Sequence, residues 1–170
     1  MGDSILIAGS GMIARDAGVY FLRRGRTVTW VSRNESCLID CQAQVSGSVH
    51  QFMSQSRGAL RQISASFLLY DELEDERFDA IIECTRETLD DKKEVISRLG
   101  TFVNDTTLLV STSLSIHPSA IHPSCAGLRI RFPLELTRTA EIVFPRDTSA
   151  GRKERVVAFC KENEIDMVCK

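Results

Sequence analysis

Gly9-Ser10-Gly11-Met12-Ile13-Ala14 forms a G-x-G-x-x-A turn directly after the apolar run Ser4-Ile5-Leu6-Ile7-Ala8. This spacing suits a pyrophosphate. The first glycine permits a tight turn. The second lets the backbone approach the anion with no Cβ between them, and the small Ala14 lets a helix pack close on the strand. Unpaired N–H groups at the helix start would face the phosphates. A structural strand-turn-helix without a ligand is the alternative. Further on, Val31 is followed by Ser32-Arg33, where an NAD-binding fold places a carboxylate on the ribose 2′-hydroxyl. Serine and arginine would instead bond and neutralise a 2′-phosphate. NADP(H) is therefore expected in preference to NAD(H), with a solvated loop as the alternative. Ser32 or Asn34 could also cap the next helix, with Glu35 in support.

Three histidines could move protons: His50, His117 and His122. His117-Pro118 and His122-Pro123 follow the fifth predicted strand, where loops line the ligand crevice of an open α/β sheet. They are candidate bases or simply a solvated turn, and His50 has no partner in view. Arg129 and Arg131 alternate on a predicted strand, so they are expected on one face, which binds an anion or meets solvent at an edge. The acidic run Asp71–Glu76 reads as an exposed helical turn or a protein contact. Six cysteines (37, 41, 84, 125, 160 and 169) show no zinc-like spacing and read as reduced thiols.

The elements that must position these residues alternate strand and helix. Helices are expected over Met12–Arg24, Glu35–Gln55, Thr88–Leu99 and Thr148–Asn163. Gly47 and two nearby serines weaken the second. Strands are expected at Ser4–Ala8, Thr27–Val31, Ile63–Leu69, Phe78–Glu83, Thr107–Ser111, Gly127–Phe132, Ala140–Phe144 and Ile165–Val168. Such alternation with short connections predicts a Rossmann-like, doubly wound, mostly parallel sheet flanked by helices.

The 170 residues suit one dinucleotide-binding domain over 1–170. Apolar content of 43% and charged content of 26% are ordinary for a globular protein. A net charge of −2 gives no reason to expect nucleic acid or an anionic membrane as partner. No apolar run reaches membrane-spanning length, and no basic segment precedes an apolar one near the start. A cytoplasmic location is expected.

The later segments resemble, in order, the N-terminal cofactor-binding domain of the 3-hydroxyacyl-CoA dehydrogenase family. Ile81-Ile82-Glu83-Cys84 is similar to its V-I-E-A, and Ser111-Thr112-Ser113-Leu114-Ser115-Ile116 to its T-S-S-L-x-I. Glu87 and Lys92 stand at the spacing of its E-N-x-x-x-K. The resemblance implies that both lie near the nicotinamide ribose, and Cys84 and Thr85 join the cofactor-binding set with the glycine turn, Ser32 and Arg33. Gly127–Pro133 falls where the family has G-x-H-F-F-N-P, and Glu141-Ile142-Val143 where it has E-V-V.

The departures matter as much. The family's base is a histidine that a glutamate twelve residues later orients. Here Glu141 is present, but Arg129 takes the histidine's place. Arginine keeps its proton in proteins, so it cannot be a general base, though it could hold a substrate anion. Thr112 replaces the family's substrate-binding serine and keeps a hydroxyl. Val110 and Phe132 replace two asparagines. The helical arm between Ser32 and Glu87 is shorter. Family members add a helical C-terminal domain, and this chain stops where that domain would begin.

The resemblance implies an NAD(P)-dependent oxidoreductase acting on a hydroxyacyl or ketoacyl thioester or a related hydroxy acid. Thr112 would bond the substrate oxygen, and Glu141 would orient a base from elsewhere, such as His117 or His122. A partner chain or homo-oligomer could supply the missing wall. The alternatives are a non-catalytic dinucleotide-binding module in a larger assembly and a scaffold without cofactor.

Overall fold

Continuous apolar runs are strands covered on both faces. β1 (Ser4–Ala8) is such a run, with Ile5 to Ala8 buried. Its side chains part with the two-residue period of a strand. Ile5 and Ile7 join a core with Ala14, Tyr20 and Phe21 of α1 (Met12–Arg23), while Leu6 and Ala8 join a second core on the other face.

The computed structural model describes residues 3–55, 63–74 and 76–169. After α1 come β2 (Thr27–Ser32), α2 (Glu35–Gln55), β3 (Ser64–Leu69), β4 (Ala80–Glu83), α3 (Leu89–Arg98) and β5 (Leu108–Ser111). α4 (Pro118–Ile121), β6 (Ala126–Ile130), α5 (Leu134–Thr137), β7 (Thr139–Val143), α6 (Ala150–Glu162) and β8 (Asp166–Cys169) complete the order. One eight-stranded sheet runs β3-β2-β1-β4-β5-β6-β7-β8. Strands β1 to β6 are parallel, β7 is antiparallel to β6, and β8 runs parallel to β7. Residues of α1, α2 and α6 build one core; those of α3 and α4 build the other. This is the expected doubly wound α/β sheet. Its strand order reverses between β1 and β4, which opens a crevice at their carboxyl ends.

Local chemistry sets the element ends. Gly25, at φ 79°, takes the left-handed conformation just past α1. Asn34 caps α2, its Oδ1 accepting from the Cys37 N–H at 3.1 Å. Gly47 does not interrupt that helix. Gly18 lies against Trp30, where a Cβ would come within 1.8 Å of the indole. Trp30 is buried, and its ring stacks on Phe67 of β3 at 4.9 Å.

Two expectations need correction. β6 ends at Ile130 and is an interior strand, flanked by β5 and β7. Arg131 therefore lies beyond the strand and shares no strand face with Arg129, and neither is on an edge. The acidic run forms only a short 3-10 turn over Tyr70–Glu72, and Glu74 and Glu76 lie outside any helix. Asp75 lies outside the described residues. Among the described residues no helix is long and apolar enough to cross a membrane.

Candidate dinucleotide site

A cleft of about 590 Å³ opens over the carboxyl ends of β1, β2 and β4, and Gly9, Ser10, Gly11, Ser32, Arg33, Cys84 and Thr85 help line it. The two glycines of the turn serve different ends. Gly9 has φ +129°, and a Cβ there would sit 2.6 Å from the Cys84 carbonyl oxygen. The turn crosses so close to β4 that only glycine fits. At Gly11 a Cβ would meet nothing within 4 Å. Packing within the protein gives no reason for glycine there. The backbone there is open to the close approach of a ligand.

Gly11 is the N-cap of α1 and supplies no side-chain cap, and the first turn holds no acid. The first helical bond runs from the Arg15 N–H to the Gly11 carbonyl at 3.0 Å. The N–H groups of Met12, Ile13 and Ala14 precede it and have no partner in the helical ladder. They are ready donors for a phosphate, so the residues present fit a dinucleotide. The side chains of these three do not line the cleft. Met12 is exposed and lines a separate groove with Phe132. Ile13 packs against the core, and Ala14 is buried with its carbonyl accepting from Trp30 Nε1 at 3.0 Å.

At the tip of β2, Ser32 is buried and its hydroxyl accepts from the Asn34 N–H at 3.2 Å. Arg33 is already paired. Its Nη2 lies 2.7 Å from Asp91 Oδ1 and its Nη1 3.2 Å from Glu94 Oε2. Arg86 Nη2 reaches the same Asp91 oxygen at 3.0 Å. The Thr88 hydroxyl and then Arg33 hold the Asp91 carboxyl down at about 2; burial opposes them, and Arg86 adds a lesser pull downward. So a carboxylate does stand in the cleft, but it comes from α3, not from β2. No motif in the sequence singles out Asp91.

Behind the cleft lies a charged core. Glu83 ends β4 fully buried, and Lys92 of α3 is buried beside it. Lys92 Nζ donates to both Glu83 carboxylate oxygens, at 3.0 and 2.9 Å. The Thr85 N–H, the Thr85 hydroxyl and the Ser111 hydroxyl donate to the same carboxylate at 2.6, 2.5 and 2.5 Å. Burial of two charges is tolerable only with this kind of pairing and hydrogen bonding. Lys92 also donates to the Thr85 carbonyl at 3.3 Å and lies 3.5 Å from Glu87 Oε2. It is therefore no surface residue, and it does not line the cleft itself. The signal for Glu83 was legible: an apolar strand that ends in an acid, with a lysine nine residues on.

Glu87 holds the loop after β5. It accepts from the Ser113 hydroxyl at 2.5 Å, from the N–H groups of Leu114 and Ser115, and from the Ser115 hydroxyl. Burial alone would push its carboxyl up, but these bonds and Lys92 hold it down at about 2. Cys84 borders the cleft as a neutral thiol, pushed up to about 12 by burial and then by the Glu83 charge. Cys37, read from the sequence only as one of six reduced thiols, is exposed and lines the same cleft.

Arg129 and Glu141 face each other directly across β6 and β7, with Nη1 3.1 Å from Oε1. Arg129 Nε also donates to the Ser113 carbonyl at 3.1 Å. Glu141 is thus paired with Arg129, and the two candidate bases bond locally, His117 Nδ1 with the Ser119 hydroxyl and His122 Nδ1 with the Ser124 N–H. His122 borders a different cavity, with Arg152. Thr112 sits at the end of β5, and its hydroxyl donates to the Glu83 carbonyl at 3.2 Å.

The fold has known counterparts. Diketoreductase is similar at 19% identity and a TM-score of 0.83, covering 100% of this chain and 65% of its own. 3-Hydroxybutyryl-CoA dehydrogenase from Escherichia coli K12 is similar at 18% identity and a TM-score of 0.84, over 99% of this chain and 38% of its own. (S)-3-Hydroxybutyryl-CoA dehydrogenase PaaH1 from Ralstonia eutropha gives 19% identity and a TM-score of 0.80, over 99% of this chain and 63% of its own. The chain thus spans 38% to 65% of the length of these structures. At such identities the likeness concerns the fold. Comparison with curated protein sequences finds no significant match. The sequence model of the 3-hydroxyacyl-CoA dehydrogenase NAD-binding domain, however, matches residues 4–169. The chain belongs to the 3-hydroxyacyl-CoA dehydrogenase family, by way of its NAD-binding domain.

Proposed function

We propose that residues 1–170 form one dinucleotide-binding domain, which takes NADP(H) in preference to NAD(H) and serves as the nucleotide half of an oxidoreductase. Its substrate would be a hydroxyacyl or ketoacyl thioester or a related hydroxy acid. The observation that carries this reading is Gly11, whose open Cβ position lies beside the uncapped start of α1. When bound, a nicotinamide supplies or accepts hydride at its C4.

The chain's own residues do the rest. The N–H groups of Met12, Ile13 and Ala14, with Ser10, hold the pyrophosphate. Ser32 and Arg33 stand at the end of β2, which carries no acid of its own, and favour a 2′-phosphate. Glu87 accepts from a ribose hydroxyl, and Lys92 keeps it charged. Thr112 meets the substrate oxygen. Arg129 keeps its proton and binds an anionic group of the substrate, so the proton acceptor comes from a partner chain or a second copy.

A second reading is a dinucleotide-binding module without catalysis, and the Arg129–Glu141 pair favours it. That pair fills the position of the family's base and its orienting acid. Calorimetric titration with NADPH and NADH tests the shared part: no binding of either at millimolar concentration overturns both readings. Turnover of a ketoacyl thioester with NADPH separates them.

A further inference from the structure

We infer that Arg86 is a second anchor for the 2′-phosphate of NADP(H), converging with Arg33 on one anion position. This rests on the NADP(H) reading above. Arg33 follows β2 and Arg86 follows β4, on opposite sides of β1. Their Nη2 atoms nevertheless meet at a single atom, Asp91 Oδ1, at 2.7 and 3.0 Å. Two nitrogens so held lie within about 6 Å of each other, a span that the oxygens of one phosphoryl group bridge. Both arginines line the cleft with Gly9 and Gly11.

The Asp91 oxygen marks where an anion is held. A phosphoryl group brings three acceptor oxygens and more charge than a carboxylate, so it can take a bond from each guanidinium. Asp91 meanwhile keeps its Oδ2 on the Thr88 hydroxyl at 2.5 Å. The local charge suits this exchange. Arg33, Arg86 and Arg98 stand against Asp91 and Glu94, with Arg98 on Glu94 at 3.3 Å, which leaves one positive charge in excess. Stability does not account for Arg86. Its side chain is 73% exposed, and exposed ion pairs contribute little to folding.

The test is calorimetry on the full chain with NADPH, NADH, adenosine 2′,5′-bisphosphate and AMP, using wild type, Arg86→Gln and Arg33→Gln. Arg86→Gln should weaken NADPH and the bisphosphate at least about tenfold and leave NADH and AMP within about twofold. Equal weakening of all four ligands would assign Arg86 to the adenine or the pyrophosphate and overturn the inference. So would unchanged affinities. A wild-type preference for NADPH that survives Arg86→Gln but collapses in Arg33→Gln sinks Arg86 alone and spares the NADP(H) reading. A wild-type preference for NADH sinks both.

Discussion

The guanidinium of Arg129 lies 3.1 Å from the Glu141 carboxylate, on residues paired directly across antiparallel β6 and β7. The antiparallel pairing thus sets the side chain of residue 129 directly beside this acid. Arg129→His would restore a titratable ring beside Glu141. With NADPH and a ketoacyl thioester, this variant should turn over at least about tenfold faster than wild type, within the usual range of general acid–base assistance. Steady-state kinetics on both proteins check this, and equal rates would show that residue 129 does not limit turnover.

The two glycines of the turn should separate folding from binding. Gly9→Ala forces a Cβ into the Cys84 carbonyl at a left-handed φ and should cost about 1–3 kcal/mol of stability. Gly11→Ala meets open space and should change stability by less than about 0.5 kcal/mol. It should still weaken dinucleotide binding about tenfold or more, because the new methyl intrudes on the pyrophosphate. Urea unfolding and calorimetry on both variants read the contrast.

Lys92→Met leaves the Glu83 carboxylate buried without its cation. Such single removals cost about 3–5 kcal/mol. Adding Glu83→Gln removes the stranded charge and should recover much of that loss. If the double variant is as unstable as the sum of the two single variants, the buried pair is not the stabilising unit. Chemical denaturation of the three variants measures this.

The Glu87 carboxyl ordinarily titrates at 4.5 and is held at about 2 in the fold. Its folded value is lowered, so its bonds stabilise the chain fully above pH about 4.5 and are lost as pH falls towards about 2. Wild type should therefore exceed Glu87→Gln in stability at neutral pH, with the gap closing over that acid window. Unfolding curves taken down the pH range test the sign. A gap independent of pH would remove Glu87 ionisation as its cause.

Cys37 is exposed in the cleft, whereas Cys41, Cys84, Cys125 and Cys160 are buried. Cys84 and Cys125, each pushed up to about 12 chiefly by burial, hold almost no thiolate at neutral pH. A thiol reagent should modify Cys37 ahead of those four, and NADPH should slow that modification several-fold. Peptide mapping of the labelled chain identifies the site. Unprotected Cys37 under saturating NADPH would place the ligand outside this cleft.

Much of the frame was legible because its signals are local. The run Ser4–Ala8, the glycine turn and the amphipathic start of α1 each carry their own pattern, and β1 has the predicted bounds. The four-residue helices α4 and α5 were not foreseen, since so short a stretch shows no period. The site was less legible because its contacts are not local. Lys92 is buried only because α3 crosses the end of β4, and sequence alone gives a lysine no reason to be inside. Arg129 and Glu141 stood out by spacing, yet their ion pair needs the antiparallel return of β7. The joint grip of Arg33 and Arg86 on Asp91 draws on three separate elements.

Trp30 is the chain's single tryptophan, sealed against Gly18 and bonded to the Ala14 carbonyl of the helix that begins at the phosphate turn. The molecule therefore carries its own fluorophore. Its emission should be blue-shifted while the chain is folded and should move to the red on unfolding. Reduced nicotinamide absorbs where indole emits, so bound NADPH should quench that light by energy transfer while oxidised NADP does not. One unlabelled sample can thus report folding, occupancy and the redox state of the ligand together.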